Sequence, residues 1–295
     1  MVAFVKTEDR TRGVKESVRC LGINPAQGKD VLIKPNFNTA DPVPGSTDNE
    51  TLLALVDALW DMGARSVSVG ERSYPPTRQV MAEKGIVPIL RERGVRIIDF
   101  DLLKRDDWVE CTFPGSHWSK GFRVARPVLE AECLVSTCCL KTHQYGGVFT
   151  MSLKLHVGVV PTFRHGFPYM GELHQSPHQE QLIAEINLPF APALVVLDGI
   201  DAFVDGGPTT GKRVRGNAVL AGTDRVAIDA AGLALLKLLG SNDAIMNRKI
   251  FEQEQIARAV ELGLGVASPA EIDLVPANGE SREYCDRVRK VLMEG

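Results

Sequence analysis

Residues 31–71 carry the deciding pattern: Val31-Leu-Ile-Lys34-Pro-Asn36, then Thr47-Asp-Asn-Glu50 opening the stretch Leu52–Met62, then Gly63 and Ser66-Val-Ser-Val-Gly70-Glu71. The outer runs are rich in β-branched and apolar residues, as strands of a covered parallel sheet require. The inner stretch repeats its apolar residues at helical spacing. It starts on a capping-box signature and stops at a glycine. Strand, helix and strand in this order form the βαβ unit of a parallel sheet.

The alternation continues outward. Val95–Phe100, Leu134–Thr137, Leu194–Asp198 and Ala218–Gly222 read as further strands. Ser176-Pro-His-Gln179 is a second capping box with Pro177 at the first helical position. Asp224 reads as the N-cap of a helix running through Leu236 to Gly240, with Asp229 flanking it. Asn247–Leu262 and Ser281–Met293 read as amphipathic helices, and Ser268-Pro-Ala-Glu271 opens a short one. The expected fold is α/β, a largely parallel sheet covered by helices on both faces. No linker divides residues 1–295, so a single unit is expected. Two α/β lobes, about 1–125 and 126–295, meeting at a cleft would also satisfy the pattern. Gly158–Ser176, rich in Pro, Gly, His and aromatics, is expected to be a long functional loop.

The 295 residues include 34 Lys+Arg and 37 Asp+Glu, a formal net charge of −3, with 44% hydrophobic and 24% charged residues. That is the balance of an ordinary globular protein. It supplies no uniform field for nucleic acid or an anionic membrane, so neither partner is expected. No apolar run reaches the roughly 20 residues of a membrane span. Met1–Arg10 lacks the pattern of a signal peptide, and a cytoplasmic location is expected. The six cysteines (Cys20, Cys111, Cys133, Cys138, Cys139, Cys285) contain no C-x-x-C. There is therefore no self-contained iron–sulfur or zinc-ribbon motif, and Cys133, Cys138 and Cys139 read as small apolar residues of a buried strand.

Candidate site residues cluster at predicted strand ends, where open α/β sheets bind ligands. Lys34 and Asn36 follow the first strand of the unit, Glu71 the second, and Asp198 the run Leu194–Leu197. Leu140–Val160 holds two Lys-x-His pairs, Lys141/His143 and Lys154/His156. On an extended chain each pair points to one face. Ammonium and imidazole groups facing a cleft can hold a carboxylate or phosphate and can move protons. Gly206-Gly-Pro-Thr-Thr-Gly211-Lys212 has the spacing of a phosphate loop, but Arg213 replaces the magnesium-binding hydroxyl and a strand follows. A nucleotide-hydrolysing loop is excluded, whereas Gly207 and Thr209 remain candidates for holding an anion. His174-x-x-x-His178, with His165, invites a zinc reading that Pro177 works against by breaking the helical register.

These segments resemble the family of domain of unknown function 362. The matching stretches are Val31–Asn36, Leu140-Lys-Thr-His143, Ser152-Leu-Lys154, Pro192–Gly199, Gly207-Pro208 and Ala221–Asp229, in the family's order. The resemblance implies an α/β protein of a family without one general activity. Many relatives carry an iron–sulfur ferredoxin module, which implies a redox setting for those proteins; this sequence has none. It departs in having Cys138-Cys139 where relatives read Pro-Lys, and Val204 at a position often acidic, and His178 matches a family-typical histidine.

Two functions are carried forward. One is an enzyme acting on a small anionic or carboxylated substrate, with His143 and Lys141 catalytic, and Lys34, Asn36, Lys154, Gly207 and Thr209 binding the anion. A divalent metal on Glu71, Asp198 and His178 would assist it. The other is a non-catalytic module that binds a metabolite or metal for a redox (iron–sulfur) partner. The enzyme is the leading reading and the binding module its alternative.

Overall fold

The computed structural model describes residues 1–163 and 166–295. Among them the strands are β1 (Val2–Lys6), β2 (Asp30–Lys34), β3 (Ser66–Glu71), β4 (Arg96–Asp99), β5 (Trp108–Cys111) and β6 (Phe122–Ala125). β7 (Cys133–Thr142), β8 (Phe149–Thr150), β9 (Leu194–Gly206), β10 (Gly211–Gly222) and β11 (Leu274–Pro276) follow. The helices are α1 (Arg10–Cys20), α2 (Asn49–Asp61), α3 (Thr77–Glu83), α4 (Ile86–Glu92), α5 (Arg126–Leu129) and α6 (Ser152–Leu155). The remainder are α7 (Tyr169–Gln175), α8 (Gln179–Ile186), α9 (Arg225–Leu238), α10 (Asp243–Met246), α11 (Glu254–Glu261) and α12 (Arg282–Glu294).

The main sheet runs β11-β1-β10-β9-β7-β2-β3-β4, with β8 paired to β7, and β5 and β6 form a separate hairpin. β9, β7, β2, β3 and β4 are mutually parallel. The expected α/β fold is therefore observed, and its strands come from both sides of residue 125. Alternate residues of a strand serve different cores. Val31 and Ile33 pack under α1 and α2, and Leu32 packs toward the β5–β6 hairpin. On β7 the vicinal Cys138 and Cys139 necessarily point to opposite faces; all six cysteines are free thiols.

Two caps differ from expectation. Asp48, not Thr47, caps α2 by accepting from Glu50 N. Thr47 instead turns inward, where its hydroxyl accepts from Asn36 N at 2.8 Å. Ser176 accepts from His178 N, and α8 starts only at Gln179, two residues later than the sequence suggests. Asn247–Leu262 is not one helix, because Asn242 caps the short α10 and a 3₁₀ turn intervenes before α11. The expected loop Gly158–Ser176 contains α7, and its His165 lies outside the described residues.

Asp224 does cap α9. Asp229, on the same helix, caps a different one: its carboxylate accepts from Ser152 N at 2.6 Å and Leu153 N at 3.0 Å, the first turn of α6. Burial pushes this carboxyl up to about 7 against the pull of those two amides. A raised carboxyl binds its proton more tightly folded than unfolded. Its contribution to stability is thus full below the ordinary value of 3.8 and lost as pH rises through about 7. In urea unfolding, Asp229→Ala should lose about 1–3 kcal/mol by orphaning the α6 amides. The stability of the unaltered chain relative to Asp229→Asn should fall across that pH window; a flat difference would show that the carboxyl titrates normally.

Candidate functional site

The chain runs β2, β3 and β4 outward and then returns to place β7 on the other side of β2. That reversal opens a crevice at the carboxyl ends of β2 and β7, the place where doubly wound sheets bind ligands. A cavity of about 360 Å³ lies there. Lys34 and Asn36 enter from the end of β2, Glu71 and Arg72 from the end of β3, and Lys141 and His143 from the end of β7. The β8–α6 segment adds Thr150 and Lys154, α7 adds His174 and Met170, and the β9–β10 turn adds Pro208 and Thr209. Among the described lining residues, four cations (Lys34, Arg72, Lys141, Lys154) face one carboxylate, Glu71.

Glu71 belongs to Lys34. Their ion pair is 2.6 Å long and both side chains are 1% exposed. Glu71 also accepts from Phe37 N and Arg72 N at 2.9 Å each, and Lys34 donates to Pro35 O at 2.8 Å. Burial pulls Lys34 down and pushes Glu71 up, and their mutual attraction opposes both movements. The pair sits against Gly158, where a Cβ would lie 2.5 Å from Glu71 Oε1. Arg72 reaches across to α7 and its approach, donating to Thr162 Oγ1 and Val157 O at 3.1 Å each. Its Nε and the Thr39 hydroxyl are buried at the cavity without a hydrogen-bond partner among the described residues.

The other two cations have no carboxylate within ion-pair reach among the described residues. Lys141 donates to Gly45 O at 2.6 Å and Pro208 O at 3.1 Å. Burial lowers its pKa. Lys154, 6% exposed, makes no hydrogen bond within the described chain. Its pKa falls to about 8 through burial, with Glu180 raising it and Lys141 lowering it. His143 Nδ1 lies 3.0 Å from Thr150 Oγ1. Burial, then Lys154 and Lys141, push this imidazole far below its ordinary range, so the ring is neutral. His174 is lowered by burial, Lys154 and Arg72.

The structure thus gathers Lys34, Asn36, Glu71, Lys141, His143, Lys154 and Thr209 around one cavity. It leaves others aside. Asp198 is fully buried and held by Arg10 Nε at 2.9 Å, Thr51 Oγ1 at 2.7 Å and Ile200 N. Asp198 lies within β9, which runs on to Gly206, and alternation puts it on the α1–α2 face with Leu194 and Val196. His178 begins α8 and stacks on His117 with ring centroids 4.8 Å apart. Glu71, Asp198 and His178 therefore do not meet, and no group of three or more His, Cys, Asp or Glu among the described residues could hold a metal ion. Gly207 turns the β9–β10 hairpin beside the cavity without lining it. The second Lys-x-His pair diverges because it is helical rather than extended: Lys154 enters the cavity, and His156 is buried between Ser136 Oγ (2.9 Å) and Asn187 Oδ1 (2.7 Å). Arg72, Thr39 and Met170 were not singled out from the sequence; only Arg72, directly after the strand-end Glu71, carried a usable signal. Replacing Glu71 by Gln should destabilise by about 3–5 kcal/mol, since it strands a buried ammonium. A denaturation midpoint close to that of the unaltered protein would show the pair is already neutral.

The described residues contain no helix long and apolar enough to cross a membrane. A thylakoid-associated protein of Synechocystis sp. is 24% identical over 214 residues, 72% of this chain and 64% of that protein, so the chain spans less than two thirds of that relative. Among solved structures, the lactate racemase apoprotein from Thermoanaerobacterium thermosaccharolyticum is similar at 15% identity with a TM-score of 0.48, over 75% of this chain and 54% of that one. The family model described as Domain of unknown function (DUF362) matches residues 31–234, more than half of the sequence and all of the cavity-forming strands β2, β3 and β7. The chain belongs to that family.

Proposed function

We propose that this protein is an enzyme whose substrate is a small carboxylated or phosphorylated molecule held in the β2–β7 crevice. The supporting observation is the charge imbalance of the cavity: four cations around about 360 Å³, with one carboxylate that Lys34 already occupies. Buried cations without counter-ions are unfavourable unless something negative joins them. A cavity of this size admits a metabolite and excludes a polymer. In this reading Lys141 and Arg72 supply the charge opposite the anion, Asn36 and Thr209 add hydrogen bonds, and Lys34 stays with Glu71. Neutral His143, its ring oriented by Thr150, relays a proton by accepting a hydrogen bond at one nitrogen and donating at the other. A binder needs only the charges. Two perturbed groups, His143 and Lys154, at one cavity favour catalysis.

Calorimetric titration with oxalate and inorganic phosphate tests the reading. Lys141→Met should weaken binding about 10–100-fold, the worth of one hydrogen bond to a charged group. Affinity should also fall as pH rises through about 8, where Lys154 passes from ammonium to amine. Unchanged affinity in the folded Lys141→Met variant, or affinity that is flat from pH 6 to pH 9, would remove the cationic wall from the explanation.

A further inference from the structure

Three lysines line the cavity, and two have partners. Lys34 holds Glu71 and Pro35 O, and Lys141 holds Gly45 O and Pro208 O. Lys154 lies 94% out of solvent with no hydrogen bond or ion pair from its amine among the described residues. Its tip rests against Gly147, whose positive φ of 69° suits glycine and whose missing Cβ would stand 3.3 Å from Nζ. The amine faces Lys141 and His143 from the end of β7, His174 from α7 and Glu180 from α8. Asp229 of α9 fixes the first turn of α6, the helix that carries it.

Resting on the anion-pocket reading, we infer that Lys154 is a nucleophile that forms an imine with a small anion bearing a carbonyl carbon, a 2-oxo acid by class. An amine attacks only when neutral, and here burial and then Lys141 favour the neutral form against the pull of Glu180, while Lys141 and Arg72 hold the carboxylate. The Nζ lone pair adds to the carbonyl carbon, and the C=O π electrons move to the oxygen. That oxygen takes up the proton Nζ gives up, with the neutral His143 ring beside it as carrier. The nitrogen lone pair then closes the C=N bond as the hydroxyl leaves with a proton as water. No oxidant or reductant is consumed. The product iminium withdraws electrons from the adjacent carbon, which activates it for proton removal or bond cleavage.

The test uses glyoxylate as probe with sodium cyanoborohydride, whose hydride fixes the imine as an N-carboxymethyl group, followed by peptide mass mapping. The expected result is modification of Lys154, blocked by oxalate, with a rate that rises to half its maximum near pH 8. At pH 7 its neutral fraction is roughly two to three hundredfold that of an ordinary lysine, and labelling should outpace exposed lysines. Lys154→Arg and Lys154→Met should lose this label, with circular dichroism reporting the fold. If oxalate binds but only exposed lysines are modified, the imine role is overturned and the anion pocket stands. If the unaltered protein binds no oxalate, the pocket reading is overturned and the imine role with it.

Discussion

The site exists because two neighbouring strands have unequal lengths. Lys34, the last residue of β2, pairs with Ser136, yet β7 runs on to Thr142. From Thr137 onward β7 keeps β9 on one edge and gains only the two-residue β8 on the other. The sheet therefore loses a strand's width just where its parallel strands present their carboxyl ends. α6, α7 and the β9–β10 turn close round the opening, so the strand-end side chains that would normally reach water are enclosed. Everything distinctive about the charges follows from that enclosure.

The enclosed lysines are accommodated in three physically different ways. Lys34 is compensated by a carboxylate that is itself held by two backbone amides. Lys141 is solvated by two peptide carbonyls, which substitute for water without cancelling the charge. Lys154 has neither, and its proton is correspondingly loose. All three are lowered first by burial, and they differ in the partners that meet that cost. The two imidazoles at the cavity are depressed first by burial and then by Lys154 and its neighbouring cations, so they add no further positive charge.

Much of this was legible in the sequence, and for a clear reason. Strand-end positions can be located by apolar runs and the prolines or polar residues that stop them. Lys34, Glu71 and Lys141 were found that way, and the parallel order of the sheet makes such ends converge. Asp198 satisfied the same rule and failed, because β9 does not stop there but runs on to Gly206, and alternation with Leu194 and Val196 turns the carboxylate to the α1–α2 face. Lys154 and His156 were treated alike since their spacing suits a strand; α6 is too short for periodicity to reveal, and its cap comes from Asp229, distant in sequence. Thr47 and Ser176 matched a capping signature but spent their hydroxyls on other amides. Arg72 and Thr39 became visible only when distant segments were brought together.

Gly158 and Gly147 have a bearing on how this cavity can diversify. Each places bare backbone against a charged tip, at the Lys34–Glu71 pair and at Lys154. The wall on that side is therefore made of peptide groups, and a larger residue there would displace the charges instead of reshaping the space around them. Elsewhere the lining is built of side chains, among them Tyr74, Met170 and Thr209, and can change by ordinary substitution. A lineage built on this scaffold would hold its charged floor constant while varying the ceiling, so that related proteins could share one chemistry and differ in the shape of what they admit.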